Sequence, residues 1–312
     1  MTLPTSSSSG AVISLANVSR RFGEHQALDD VSLHVPRGGV FGLVGANGAG
    51  KTTLIRHILG LLEPDSGTVR VFDLDPAAES VEVLRRIGYL SETRDLPGSM
   101  TVGELLRYTR AFHPGWDPAF AESLREQFGL NPDARVKHLS QGQLAKAGLI
   151  VALAYRPELL LLDEPSSGLD PVVRRDILEA IIRTVADEGR TVLFSSHLLD
   201  EIERVADHVA MIHGGRIALS GRLEDVKAAH RRVTIQFPSA PPRAPRWAGW
   251  WEVQGHGREW SGLVNGPRER WIAEAVEAGA VVVDDRPVTL DEILVARVAG
   301  HENSGPGAAA RG

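Results

Sequence analysis

The 312-residue chain carries 34 Lys and Arg against 40 Asp and Glu, a formal net charge of -6, and 43% of its residues are hydrophobic. That is enough apolar material for one large or two modest packed domains. The acidic balance offers no footprint for nucleic acid, so no nucleic-acid partner is expected. The chain has no cysteine, which excludes disulfides and thiolate metal sites.

In chain order, residues 1–10 include Ser6 to Ser9 and lack the basic start and apolar run of a secretory signal; they read as a disordered lead-in. Two β-type stretches follow, Val12–Phe22 and Leu28–Val35, then a short apolar strand, Val40–Val44, that runs into a glycine-rich turn and a helix over Thr52–Leu61. Thr68–Phe72 reads as a further strand. Residues 100–155 turn helical: Thr101 and Glu104 have capping-box spacing, Asp117-Pro118 opens a second helix that Gly129 stops, and Ser140 with Gln143 repeats the box before Leu144–Tyr155. Strands and helices then alternate. Leu159–Leu162 is a buried strand; Asp170-Pro171 opens a helix with Ile177, Ile181, Ile182 and Val185 on one face; Thr191–Ser195 is a strand, Leu198–Val205 a helix, and Gly214-Gly215 joins two last strands. This alternation predicts an α/β fold with a mainly parallel sheet. The most apolar stretch, Ala147–Leu162, is broken by Arg156, Pro157 and Glu158 and falls short of the roughly 20 apolar residues that cross a bilayer.

Composition changes after about Arg231. Residues 231–246, with Pro238, Pro241, Pro242 and Pro245, read as a linker. Residues 247–300 read as a small α+β domain and 301–312 as a disordered tail. Trp247, Trp250, Trp251, Trp260 and Trp271 fit the core of that small domain better than a ligand surface.

The chemistry sits in the first part. Gly45-Ala46-Asn47-Gly48-Ala49-Gly50-Lys51-Thr52 is a P-loop pattern between strand and helix. Its glycines let backbone N–H groups converge on phosphate oxygens, and the helix start adds its positive dipole end. Lys51 supplies a cation for the terminal phosphates, and the Thr52 hydroxyl can ligate Mg²⁺, with Thr53 beside it. Asp163 emerges where the strand Leu159–Leu162 ends, as the Mg²⁺ carboxylate such enzymes need. Glu164 is next in line to polarise an attacking water.

Between these two motifs lies Leu139-Ser140-Gln141-Gly142-Gln143, and after them Ser167-Gly168-Leu169-Asp170 and His197. Together they resemble the ABC ATPase family, over about residues 12–225. The resemblance implies a P-loop ATPase domain spanning 11–230, with an antiparallel β subdomain and a helical subdomain at about 93–156. It implies that Phe22 stacks on adenine and that Ser140, Gln141, Gly142 and Gln143 form a signature that contacts ATP in a second subunit. It further implies that Asp170 belongs to the D-loop, that His197 is a switch histidine, and that two such domains sandwich two ATP molecules. The chain departs from the family at two places. Glu92 stands where a glutamine usually contacts Mg²⁺ and nucleotide, and Gln141 stands where glycine is commonest. The implied partners are a second ATPase subunit, identical or different, and a separate transmembrane permease. That would leave the chain cytoplasmic, on the inner face of the membrane. The tail Pro287–Leu294 is similar to those of ATPases paired with ABC-2 type exporters, which favours export. An importer ATPase with a regulatory C-terminal domain and a soluble ABC ATPase acting outside transport are the alternatives.

Overall fold

The computed structural model describes residues 10–241, 247 and 249–302. Its strands are β1 (Ala11–Phe22), β2 (His25–Pro36), β3 (Gly39–Val44), β4 (Ser66–Val71), β5 (Ile87–Leu90), β6 (Leu159–Asp163), β7 (Thr191–Ser196), β8 (His208–His213), β9 (Arg216–Arg222), β10 (His230–Gln236), β11 (Trp250–His256), β12 (Glu259–Asn265) and β13 (Val281–Pro287). Its helices are α1 (Lys51–Ile58), α2 (Ser80–Leu84), α3 (Val102–Arg110), α4 (Pro118–Gln127), α5 (Gln141–Leu153), α6 (Pro171–Glu188), α7 (Leu199–Val205), α8 (Leu223–Ala228), α9 (Arg268–Glu277) and α10 (Leu290–Glu302). The chain divides into two compact units at Ser220/Gly221.

In the first unit a six-stranded sheet has the order β5-β6-β7-β3-β8-β9. The pairs β5/β6, β6/β7, β7/β3 and β3/β8 are all parallel. Parallel strands covered on both faces must be apolar throughout, and β6 meets this with Leu159 to Leu162 all at most 1% exposed. Alpha-helix α1 lays Leu54, Ile55 and Ile58 into the core. Helix α7 packs so closely on β3 that a Cβ at Gly42 would fall 2.6 Å from Ile202 Cγ2. A three-stranded antiparallel sheet, β2-β1-β4, forms a second layer. Helices α3, α4 and α5 make up the helical part, and their starts follow the side-chain chemistry read from sequence. Thr101 Oγ1 accepts the Glu104 N–H at 3.2 Å while Glu104 accepts from the Thr101 N–H at 2.8 Å. Ser140 and Gln143 repeat the exchange at 3.2 and 2.9 Å. In α6, Ile177 and Ile181 are fully buried but Ile182 is 44% exposed; one residue beyond Ile181 the helix has turned by about 100°, off the core face. Val185's side chain lies outside the described residues.

The parallel register decides where chemistry can gather. Strands β6, β7 and β3 are neighbours, with Asp163 opposite Ser195 and Val44 opposite Ser196. The P-loop, the Asp163-Glu164 pair and His197 therefore leave the sheet along one carboxyl edge, where open α/β sheets bind ligands.

The second unit corrects the expected boundaries. Strand β10 places Arg231–Gln236 of the expected linker in a sheet, and α8 precedes it. The four-stranded antiparallel sheet has the order β11-β12-β10-β13, so β10 is an interior strand. The alternation Val233, Ile235 buried against Arg232, Thr234 is a half-buried strand pattern that the neighbouring prolines masked. Residues 242–246 of the linker lie outside the described residues. The last helix runs to Glu302, past the expected tail boundary at 301; the rest of that tail, and residues 1–9, lie outside the described residues. Trp250 and Trp271 pack with Val233, Ile235 and Val264 as core, Trp247 and Trp260 lean on it, and Trp251 stacks on His230 with the Arg297 guanidinium 4.7 Å from its ring.

Trp271 is 2% exposed, and its indole N–H finds no hydrogen-bond partner among the described residues. Trp271→Ala should destabilise the C-terminal unit by about 3–5 kcal/mol, while Trp271→Phe should cost far less because it removes an unpaired donor. Urea unfolding followed by circular dichroism measures both, and equal losses for the two variants would contradict this packing.

Candidate functional site

The P-loop leaves β3 and closes on α1, whose first turn contains no acidic residue and whose N-cap, Gly50, adopts φ 113°. Only glycine takes that conformation without strain, and a Cβ there would also lie 2.6 Å from the Ala27 carbonyl oxygen. The first N–H groups of α1 are left without a side-chain cap, which is the condition for anion binding at a helix start.

Lys51 is buried at the mouth of this loop. Its Nζ donates to the carbonyls of Gly45 at 2.6 Å and Ala46 at 3.2 Å, and it pairs with Glu164 Oε1 at 3.0 Å, both side chains being 5% exposed. The other Glu164 oxygen lies 2.7 Å from His197 Nδ1 and accepts the His197 backbone N–H at 3.4 Å. Glu164 thus joins the P-loop to the end of β7. Its backbone adopts φ 47°, a left-handed state that costs a non-glycine residue about 1–3 kcal/mol and persists only where the surroundings hold it.

Ser195 does much of that holding. Its hydroxyl donates to Asp163 Oδ1 at 2.7 Å and accepts the Glu164 N–H at 2.9 Å, so one buried side chain orients both acids. Tyr89 on β5 stands near the same edge: burial first, then the negative charge of Asp163, push its phenol up to about 12. It remains a neutral hydroxyl at physiological pH.

A cavity of about 380 Å³ opens over this arrangement, lined by Phe22, His25 and Ala27 on one side, by Asn47, Gly48 and Gly50 to Thr53 along the loop, and by Glu92 and Glu164. Its volume falls in the range of small-molecule sites, about 300–1,000 Å³. Phe22 is 43% exposed, with the Arg20 guanidinium 5.0 Å from its ring. Asp163 is 1% exposed and reaches the group through Ser195. Ser140, Gln141, Gly142, Gln143 and Asp170 do not line the cavity. Ser140 caps α5, and Asp170 Oδ1 caps α6 by accepting the N–H groups of Val172 at 3.0 Å and Val173 at 3.1 Å. The donors on Thr52, Glu92 and Asp163 are hard oxygens of the kind Mg²⁺ selects.

Sequence reasoning did not single out Ser195, His25 or Arg94. The signal for Ser195 was a polar Ser195-Ser196 pair ending a strand buried along its whole length, where polar groups persist only when bonded.

An anion cradle fused to a pair of acids at the end of β6, one strand removed in the same parallel sheet, defines an α/β nucleoside triphosphatase of the P-loop class. A family model described as "ABC transporter" matches residues 28–167. The chain is 28% identical over 289 residues to the ABC transporter ATP-binding protein YtrB of Bacillus subtilis, covering 93% of this chain and 99% of that protein. It is 32% identical to the bacitracin transport ATP-binding protein BcrA of Enterococcus faecalis, over 72% of this chain and 73% of that protein. A solved structure described as the ATP binding subunit of an ABC transporter superposes with a TM-score of 0.64 at 31% identity, over 70% of this chain and 92% of that one. The chain belongs to the ABC transporter family as an ATP-binding subunit, and its enzymatic activity is ATP hydrolysis.

Ser195→Ala should leave a buried carboxylate and a buried N–H without partners, at about 1–3 kcal/mol, and should lower kcat for ATP more than it raises KM. Steady-state ATPase assays check this, and an unchanged kcat would remove Ser195 from the catalytic arrangement.

Proposed function

We propose that two copies of this chain, or this chain and a similar second subunit, close over two ATP molecules and drive a separate membrane permease that exports a hydrophobic or amphipathic compound. The observation that carries the reading is the Lys51–Glu164–His197 chain at the foot of the cavity, 3.0 and 2.7 Å link by link.

In this reading Phe22 stacks on adenine, and the backbone N–H groups of Gly45 to Thr52, with Thr53, surround the phosphates. Lys51 gives up Glu164 and turns its ammonium to the terminal phosphate. Glu164, held by His197 Nδ1 and by the Ser195 hydroxyl on its own N–H, accepts a proton from the attacking water. The hydroxyl of Thr52 and the carboxylates of Asp163 and Glu92 would hold Mg²⁺, which neutralises phosphate charge when bound. Glu92, as an anion in place of a neutral amide, adds negative charge there. Ser140 and the start of α5, with Gln141, Gly142, Gln143 and Asp170, face the nucleotide of the second subunit.

No helix among the described residues is long and apolar enough to cross a membrane, and the likeness along nearly the whole chain to an ABC transporter ATP-binding protein supports a permease on another polypeptide. The chain then sits on the inner face of the membrane through that permease. Export is supported by the likeness to a bacitracin transport subunit.

Lys51→Ala should abolish ATP binding or hydrolysis. Glu164→Gln should keep ATP binding, lower hydrolysis by about 10²–10⁴-fold, and accumulate a dimer on gel filtration with ATP; a monomer at high protein concentration would count against the sandwich. Affinity purification of the chain from membranes should recover a polytopic permease, and recovery of ribosomes without any membrane protein would favour a role outside transport.

A further inference from the structure

Arg94 lies in the loop four residues beyond the end of β5, yet it is only 6% exposed. Its backbone holds φ 52°, a left-handed conformation in which a side chain larger than glycine's needs outside support. The support is its own guanidinium. Nη2 donates to the carbonyls of Ser167 at 2.7 Å and Pro165 at 3.2 Å, and Nη1 to Gln141 Oε1 at 3.4 Å. The first two acceptors belong to the turn that follows Glu164, and the third to the first residue of α5. The same turn is gripped a second time through its middle residue. Ser166 Oγ donates to Glu201 Oε2 at 2.6 Å, and that fully buried carboxylate also accepts from Ser196 at 2.9 Å and pairs with Arg174 at 3.1 Å.

We propose that Arg94 is a positioning residue that links the segment after Glu92 to both the turn behind Glu164 and the start of the signature helix α5, so that one nucleotide site and the face offered to the partner's nucleotide shift together. The inference rests on the two-subunit ATP sandwich proposed above. A planar guanidinium presents its donors in a fixed fork and so sets the geometry between the segments it bonds, which a point-like ammonium on a flexible stem does not. The three limbs are unequal. The bond to Ser167 is short, whereas the bond to Gln141 sits at the outer limit of hydrogen bonding. The Gln141 limb is therefore the one that a small displacement makes or breaks.

The test uses the full chain, with steady-state ATP hydrolysis across ATP concentration and binding of a fluorescent ATP analogue at protein concentrations too low for dimers. Arg94→Ala should leave analogue affinity near the wild-type value, lower kcat by roughly 10- to 100-fold through misplacement of Glu164, and flatten the sigmoidal dependence on ATP that a two-site sandwich predicts for the wild type. Arg94→Lys keeps the charge and should follow Arg94→Ala rather than the wild type; it also serves alone if Arg94→Ala does not fold. Gln141→Gly should flatten the ATP dependence with a smaller loss of kcat. Wild-type kcat and sigmoidicity in Arg94→Ala, full rescue by lysine, or an equal loss of analogue affinity and kcat would each overturn the assignment. A wild-type chain that neither hydrolyses ATP nor dimerises would overturn the sandwich itself, and this inference with it, before any variant is made.

Discussion

Lys51 and Glu164 meet at 3.0 Å where each side chain is 5% exposed. Bringing two charges out of water and into contact is close to energetically neutral at best, and removing either partner alone is costly. A pair of this kind contributes little net stability, so its retention fits a site where one partner is exchanged. In the proposed reaction a phosphate takes over the ammonium and frees the carboxylate to act on water, with His197 Nδ1 still 2.7 Å from it. The loop carbonyls of Gly45 and Ala46 also accept from the ammonium, which ties it to the P-loop as well as to Glu164.

The parallel sheet makes this meeting geometrically possible. Lys51 and Glu164 are 113 positions apart in sequence by their residue numbers, and they come together because β3 and β6 are both neighbours of β7 and run the same way. Ser195, on the strand between them, then couples the two acids to one hydroxyl. Helix α7 anchors the far side through Glu201, which takes both Ser166 and Ser196. The catalytic edge is thus a set of loops bonded to each other as well as to the sheet, which is how a strained residue such as Glu164 is kept in one conformation.

Much of this was legible in the residues. The P-loop declares itself because few sequences place those glycines, a lysine and a threonine between an apolar strand and a helix. The capping boxes at Thr101 and Ser140 declare themselves because a helix start needs its N–H groups met. Long-range bonds left no such trace. Arg94 is a charged residue in a polar loop, and only the folded turn at Pro165–Ser167 explains its burial. The C-terminal boundary is hidden for a different reason: clustered prolines give 231–246 the look of a linker, although Arg232–Gln236 carries a two-residue alternation. Ile182 failed as a core residue because one step along a helix is enough to leave an apolar face.

The placement of β10 constrains how this chain could be divided or recombined. As the first strand of its unit in sequence, it lies between β12 and β13, and among the described residues β13 pairs with no other strand. A break made at the proline cluster would carry β10 away with the ATPase unit, strand β13 without a neighbour, and lay bare an edge of β12. Unpaired strand edges recruit other chains. A graft or exchange of the C-terminal unit that respects its sheet must cut ahead of Leu223.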